Sequence, residues 1–359
     1  MDRLPGATAG SPHPAVPMTD RFLLACRRQP VDRTPVWFMR QAGRYMADYR
    51  ALRERHSLLE LCRTPELATR ITLQPVDAID VDAAIIFSDL LLPFEPMGLA
   101  FDFVKGEGPR VEQPLRTEAD IERLRLFEPR EGLGYVLEAI AMTRRELDGR
   151  VPLIGFAGAP FTLASYAIEG GPSRDFARTK ALMYGHPEAW HRLCDRLAQV
   201  VSAFVVAQVE AGAQAIQIFD SWVGALSAED YREFASPHTA KVFAALKGTD
   251  VPTIHFGTGT STILPDLAAA GGDVIGVDWR LPIDVAWEQL GATYAVQGNL
   301  DPTLLLGPRH RMLRAAEDVM QRAAGRPGHI FNLGHGILPA SPLEHVQVLA
   351  RFVHGFRAN

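Results

Sequence analysis

Five apolar residues, Ala83-Ala84-Ile85-Ile86-Phe87, are followed at once by the polar pair Ser88-Asp89. A continuous apolar run of this length is typical of a strand that is buried on both faces, as strands of parallel sheets are. Similar runs recur along the chain, and most of them break off at glycine or polar residues. Eight such runs are found: residues 35–39, 83–87, 152–156, 215–219, 252–256, 273–277, 294–297 and 329–333.

Between these runs lie segments whose apolar residues recur every three or four positions, which is the spacing of an amphipathic helix. Well-marked segments are residues 66–79, 131–147, 187–211, 228–245, 265–270 and 342–355. Eight strand–helix units in succession predict a parallel sheet that closes into a (β/α)8 (TIM) barrel. Prolines and glycines interrupt the rhythm over residues 91–113, which predicts an insertion of turns and short strands after the second strand.

The competing fold is an open, doubly wound sheet. That fold usually carries a glycine-rich, phosphate-binding loop of the GxGxxG type after its first strand. This chain has Arg40-Gln41-Ala42-Gly43-Arg44-Tyr45 after its first apolar run. The barrel is therefore the favoured interpretation.

Composition gives the broad class of protein. The chain has 359 residues, of which 47% are hydrophobic and 22% charged, as in globular proteins with a large core. Residues 1–19 are rich in Gly, Ala, Ser and Pro, and we interpret them as a flexible tail in which Met18 is an alternative start. They lack the apolar centre of a signal peptide. Residues 20–359 are predicted to form a single catalytic domain.

Cysteine content and charge exclude several functions. The three cysteines, Cys26, Cys62 and Cys194, stand far apart, which argues against a disulfide framework and favours the cytoplasm. No run approaches the roughly 18 apolar residues of a membrane span. The net charge of −5 argues against a nucleic-acid-binding protein. It leaves room for an anionic substrate, because a local basic cluster can oppose the overall charge.

Nine arginines lie between residues 21 and 55, against three acidic residues. The arginine side chain is a planar fork that binds carboxylate or phosphate through two hydrogen bonds. For Arg50, Arg53 and Arg55 a solvated basic surface is the better interpretation. Arg40 and Arg44 directly follow the first apolar run, and because barrel active sites lie in the loops after the strands, we predict that these two bind an anion.

Three carboxylates also follow predicted strands: Asp89, Asp220 and Asp278. Asp89 comes after a buried run, so it is expected to be paired or functional, with a helix cap as the alternative. His335 lies between two glycines, and a loop histidine bonded to nearby backbone is a serious alternative to a site role. The predicted strand ends carry no lysine, so a Schiff-base mechanism lacks its nucleophile.

Five segments resemble the uroporphyrinogen decarboxylase family, in the order in which the family has them. They are residues 35–45 (PVWFMRQAGRY), 86–89 (IFSD), 155–163 (GFAGAPFTL), 218–221 (IFDS) and 332–336 (NLGHG). The resemblance runs from about residue 20 to the C-terminus.

The resemblance implies a (β/α)8 barrel, usually a homodimer, that decarboxylates the four acetate arms of uroporphyrinogen III without a metal or an organic cofactor. It implies that Arg40 and Arg44 bind substrate carboxylates and that the loop of Gln41, Ala42 and Gly43 lines the cleft. By the same resemblance, Asp89 bonds to the pyrrole N–H groups and stabilises a cationic pyrrole. Tyr166, Ser221 and His335 would contact the carboxylate arms or the reacting ring. The proton donor is left open among Arg40, Tyr166, His335 and a bound water.

There are two alternatives to a decarboxylase function. Zinc-dependent corrinoid or thiol methyltransferases share this barrel and typically place a His-x-Cys pair after the fifth strand, since zinc favours N and S ligands. This chain has His255-Phe256-Gly257 there, and no cysteine beyond Cys194. A non-catalytic tetrapyrrole-binding barrel is the second alternative, and the sequence alone does not exclude it.

Overall fold

The fold is built on a parallel sheet of seven strands with helices packed around it. The computed structural model describes residues 20–104 and 108–357. Nine strands occur in these residues, and seven of them pair in the order β1-β4-β5-β6-β7-β8-β9, every pair parallel. The strands are β1 Ala84–Ile85, β2 Phe101–Val104, β3 Gly108–Val111, β4 Leu153–Gly158, β5 Ala215–Asp220, β6 Thr253–Gly257, β7 Val274–Gly276, β8 Ala295–Leu300 and β9 His329–Leu333.

Four helices precede β1, and the others lie between the strands or after them. They are α1 Arg21–Cys26, α2 Ala47–Arg53, α3 Leu58–Arg63, α4 Pro65–Ile79, α5 Phe94–Met97, α6 Glu118–Glu122, α7 Pro129–Gly132, α8 Gly134–Leu147, α9 Pro160–Glu169, α10 Ala177–Gly185, α11 Pro187–Glu210, α12 Ala228–Asp230, α13 Ser236–Leu246, α14 Leu264–Ala270, α15 Ile283–Leu290, α16 Arg309–Ala323 and α17 Leu343–Gly355. A π-helical turn, Tyr231–Ala235, joins α12 to α13.

The sheet is strongly curled. Trp37 Nε1 donates to Gln297 Oε1 of β8 at 2.9 Å, and Gln297 Nε2 donates to Gln217 Oε1 of β5 at 3.1 Å. Because β5 and β8 are not neighbours in the sheet, this contact across the concave face requires the sheet to bend round on itself. All three side chains are buried, so the concave face is a packed interior.

Seven of the eight predicted strands are present, and the first predicted run, residues 35–39, is not a strand. It makes a single parallel bridge, between Val36 and Phe331 of β9. The reason lies in its backbone donors: Pro35 has no N–H, and the N–H groups of Val36, Phe38 and Met39 donate to side chains, at Asp82, Gln41 and Asn332. Those side chains replace the ladder of a regular strand.

The predicted insertion after the second apolar run is confirmed. It contains α5 and an antiparallel hairpin of β2 and β3, in the register Phe101 to Val111. The predicted tail at residues 1–19, with Met18, lies outside the described residues. The buried apolar side chains of the rest form one cluster that reaches from Phe22 to Val353.

Candidate active site

Three phenylalanines form an apolar floor at the carboxyl ends of neighbouring strands. Phe156 of β4, Phe219 of β5 and Phe256 of β6 meet edge to face, with ring centroids 5.5 and 5.8 Å apart. Phe156 and Phe219 are partly exposed, and Phe256 contacts the His335 ring at 6.4 Å. Edge-to-face aromatic pairs at these separations are favourable, so the three rings hold one another in place.

Asp89 lies in the loop that follows β1. Its Oδ1 accepts the Leu91 N–H at 2.9 Å, at the head of the turn that leads towards α5. Burial raises the pKa of Asp89 above its ordinary value, while the Leu91 N–H and the charge of Arg40 act in the opposite direction. Asp89 therefore does cap a turn, but its carboxylate also lies within the field of a site arginine.

Arg40 connects the predicted site residues. Its backbone is left-handed, with φ of 59°, and its side chain is exposed. Its stem lies against Gly336, where an added Cβ would be 2.4 Å from Arg40 Cδ. The charge of Arg40 affects the pKa values of Asp89, Tyr166 and His335, so its guanidinium lies near all three groups.

The His335 ring is held in one tautomer. Its Nδ1 accepts the Gly336 N–H at 2.7 Å, so the ring proton sits on Nε2. Burial, together with the charges of Arg40 and Arg280 and against that of Asp278, lowers the pKa of His335 to about 4. At neutral pH the ring is therefore uncharged and offers an Nε2–H donor.

Tyr166 lies on α9 beneath Trp222. Their ring centroids are 3.7 Å apart, and the ring centroids of Phe176 and Trp222 are 5.1 Å apart. Burial raises the pKa of Tyr166 well above its ordinary value, Asp89 raises it further and Arg40 opposes. The phenol therefore keeps its proton across the neutral range.

The loop of Gln41, Ala42, Gly43 and Arg44 is held by hydrogen bonds of the Gln41 side chain. The Gln41 side chain is buried, accepting from Phe38 N–H and donating to the Ala83 carbonyl, each at 3.0 Å. Ala42 and Gly43 are partly exposed, and Arg44 is exposed. The charge of Arg44 affects the pKa of Tyr49.

Ser221 follows β5, and its carbonyl accepts the Thr258 hydroxyl. The two other carboxylates at strand ends accept hydrogen bonds that stabilise the fold. Asp220 is fully buried and accepts the Thr162 hydroxyl at 2.9 Å. Asp278 accepts the N–H of Gly259 and both the N–H and the guanidinium of Arg280.

The sequence did not single out the aromatic floor or Trp222 as parts of the site. One signal was available for the floor, because three successive predicted strands each end on phenylalanine, at Phe156, Phe219 and Phe256. Trp222 directly follows Ser221 at the end of a predicted strand, but its contact with Tyr166 was not predictable, because the two residues lie far apart in the chain.

The residues that a zinc site would need do not meet. His255 is fully buried on the helix side of β6, where Nδ1 lies 3.1 Å from the Leu267 and Gly271 carbonyls. Cys26, Cys62 and Cys194 are all buried. Within residues 20–104 and 108–357, no three His, Cys, Asp or Glu side chains are grouped to hold a metal ion.

Among the described helices, none is both long enough and apolar enough to pass through a lipid bilayer.

A curled parallel sheet with arginine, carboxylate, phenol and imidazole groups at its carboxyl end defines a TIM-barrel-like α/β protein. A methyltransferase from Methanosarcina mazei has the same fold, with a TM-score of 0.80 over 94% of this chain and 98% of its own, at 23% identity. A B12-independent methionine synthase from Shewanella is more distant, with a TM-score of 0.56 over 81% of this chain and 86% of its own, at 11% identity.

The family model described as uroporphyrinogen decarboxylase matches residues 17–356. The chain belongs to that family. It is 59% identical to a uroporphyrinogen decarboxylase of Sorangium cellulosum, over 94% of this chain and 96% of that protein. A uroporphyrinogen decarboxylase of Solibacter usitatus is 54% identical, over 95% of this chain and 99% of that protein.

Proposed function

We propose that this chain is a carboxy-lyase that converts the four acetate side chains of uroporphyrinogen III to methyls, giving coproporphyrinogen III for tetrapyrrole synthesis, without a metal or an organic cofactor. Family membership and relatives at 53–59% identity with that name support this. The observation that carries it is the grouping of Arg40, Asp89, Tyr166 and His335 beside an aromatic floor.

The site matches the substrate in shape and charge. A tetrapyrrole presents a broad apolar face, which the row of Phe156, Phe219 and Phe256 can contact. It also carries eight carboxylates, which require basic partners at the rim. Arg40 and Arg44 are both exposed, and guanidinium is the side chain best suited to carboxylates.

The chemistry needs an electron sink, because loss of CO2 leaves a carbanion. In our proposal the pyrrole first takes a proton on carbon and becomes cationic. The bond between the methylene and the carboxylate then breaks, its electron pair enters the ring, and CO2 leaves. Protonation of the exocyclic methylene gives the methyl, and loss of the first ring proton restores the pyrrole.

Asp89 is assigned the role of stabilising the cationic pyrrole and of accepting from pyrrole N–H groups. Its carboxylate is partly buried, where an ion pair is stronger than in water. The proton donor stays open among four candidates. His335 and Tyr166 are both uncharged donors at neutral pH, the guanidinium of Arg40 is a very weak acid, and a bound water is the fourth candidate.

We also propose that the run at residues 35–39 fills the place of the eighth barrel strand. Phe331 N–H of β9 donates to the Pro35 carbonyl, and Asp82 N–H, next to β1, donates to the Val36 carbonyl, so the run bonds towards both edges of the sheet. A homodimer, a cytoplasmic location and a single catalytic domain over residues 20–359 stay predictions.

Anaerobic incubation of the purified chain with uroporphyrinogen III tests the function. Chromatography of the oxidised products should show coproporphyrin, with seven-, six- and five-carboxylate intermediates at early times. Dialysis against a chelator should leave the rate unchanged. Tight binding of uroporphyrinogen without any product would favour the non-catalytic carrier, and activity that depended on added zinc would return the methyltransferase to consideration.

A further inference from the structure

The loop Gly334-His335-Gly336 is closely packed at both of its glycines. A Cβ added to Gly334 would lie 2.5 Å from Trp279 N and 3.0 Å from Trp279 Cε3. A Cβ added to Gly336 would lie 2.4 Å from Arg40 Cδ. Trp279 therefore packs closely against Gly334, where a side chain would meet backbone atoms, and the flexible stem of Arg40 packs against Gly336.

Arg280 packs against the Trp279 ring. Its guanidinium carbon lies 4.2 Å from the centroid of the Trp279 ring, and its Nη1 donates to Asp278 Oδ2 at 2.6 Å. Asp278 is buried, whereas the Arg280 side chain is 52% exposed. A cation over an aromatic face and a buried carboxylate anchor hold the guanidinium in place, while half of its surface stays open to solvent.

Several hydrogen-bond donors of the Arg280 side chain have no acceptor among the described residues. Guanidinium has five N–H donors, and in the described residues the Arg280 side chain bonds only to Asp278 and only through Nη1. Asp278 also receives two backbone N–H groups, from Gly259 and Arg280, so its charge is shared among several donors. The Nε and Nη2 atoms of Arg280 therefore remain for another acceptor.

We propose that Arg280 is a further substrate-binding residue, which holds one carboxylate arm of the tetrapyrrole beside Trp279. This rests on the proposed function. The charges of Arg280 and Arg40 both depress the pKa of His335, so both guanidinium groups lie near that ring. Two arginines near one uncharged donor suit a substrate whose acidic arms radiate around a ring.

The test compares Arg280→Gln, which removes the charge and keeps polar atoms, with Arg280→Lys, which keeps the charge but loses the fork. Arg322→Gln is the matched control, because Arg322 is also about half exposed, at 41%, and pairs with Asp284 and Asp318 away from the cleft. Each variant is assayed for kcat and KM with uroporphyrinogen, for the Kd of uroporphyrin by fluorescence quenching, and for Tm.

For Arg280→Gln we expect KM and Kd to rise about five- to tenfold, less than for a fully buried charge because solvent screens this one, while kcat stays within about twofold. The rise of KM with added salt should be shallower than in the unaltered protein. Arg280→Lys should raise KM about two- to threefold, since ammonium binds carboxylate at a single point. Arg322→Gln should leave KM and Kd unchanged.

An unchanged KM and Kd in Arg280→Gln, with the unaltered protein active, would overturn the proposal for Arg280 alone. A lower Tm with lower kcat and the usual KM would also overturn it, because Arg280 would then only support the fold. Should Arg280→Gln not fold, an unchanged KM and Kd in Arg280→Lys would overturn it. Absence of decarboxylation by the unaltered protein would overturn the proposed function instead, and the Kd comparison would still test Arg280.

Discussion

The Thr162 hydroxyl donates a 2.9 Å hydrogen bond to Asp220 Oδ1, and so ties α9 to the end of β5. Both side chains are fully buried. Thr162 Oγ1 also accepts the Trp222 N–H at 3.4 Å, and Trp222 stacks on Tyr166, which lies one turn beyond Thr162 on α9. The pair thus fixes the loop after β5 relative to the helix that carries Tyr166.

We expect Thr162→Val to lower kcat/KM about tenfold, because valine keeps the shape but loses the hydroxyl that holds the Trp222 backbone. The unfolding free energy should also fall by about 1–3 kcal/mol, since Asp220 Oδ1 loses its donor. Thr162→Ser keeps the hydroxyl and should recover most of the activity. Activity assays and thermal unfolding measure the two effects separately.

Thr143→Val is the control for this prediction. Its hydroxyl makes a comparable buried bond, to Thr69 between α8 and α4, far from the cleft residues. It should lose stability and keep kcat/KM. If Thr162→Val and Thr143→Val lose the same stability and neither loses activity, Thr162 has no positioning role.

Asp89→Asn separates charge from hydrogen bonding. Asparagine keeps the oxygen that accepts the Leu91 N–H, so the turn should stay intact. It removes the negative charge, and the loss of one preorganised electrostatic partner costs about 10²–10³ in rate elsewhere. We expect a loss of that order in kcat for all four decarboxylations, with Asp89→Glu more active than Asp89→Asn. Near-normal turnover of a folded Asp89→Asn would reduce Asp89 to a turn cap.

The arginine assignments are testable one by one. Charge-assisted bonds to carboxylate are typically about 1.5–3 kcal/mol, so Arg40→Ala and Arg44→Ala should each lower kcat/KM at least about tenfold. Arg53 donates to the His56 carbonyl at the end of its own helix, so Arg53→Ala should leave kcat/KM nearly unchanged. Steady-state kinetics decide, and equal losses at all three positions would mean that the arginines facing the cleft were misassigned.

Stability should fall in acid because of a buried histidine. Burial lowers the pKa of His329 from about 6.5 to about 4, against a bond to the Gly298 carbonyl. The unfolded chain therefore binds this proton more readily than the folded one, so the stabilisation is complete above pH 6.5 and is lost as the pH falls towards 4. His335 is shifted in the same direction and adds to the effect.

We expect His329→Gln to flatten the dependence of the unfolding free energy on pH between 6.5 and 4, even if its stability at pH 7 is lower. Urea titrations at a series of pH values measure this slope. His310→Gln, at an exposed position on α16, should keep the slope of the unaltered protein. An equal slope in all three proteins would show that His329 does not contribute to acid unfolding.

Seven strands were predictable from residues close together in the chain, because strands buried on both faces require near-continuous apolar runs, as Ala83–Phe87 illustrates. The same local pattern was misleading at residues 35–39. That run is apolar and buried, but its N–H groups donate to Asp82, Gln41 and Asn332. An apolar run reports burial, and it carries no information about which distant group will accept its hydrogen bonds.

The sequence by itself determined the succession of strands and helices and the residues at the strand ends, including Arg40, Asp89 and His335, because both depend on short-range order in the chain. Only the tertiary structure decided how those residues meet. The contact of Trp222 with Tyr166, the neutral state of His335 near two arginines, and the hydrogen bond from Thr162 to Asp220 all join segments that are far apart in the chain. Folding brings these segments within a few ångströms, where desolvation and short-range electrostatics set the protonation and position of each group.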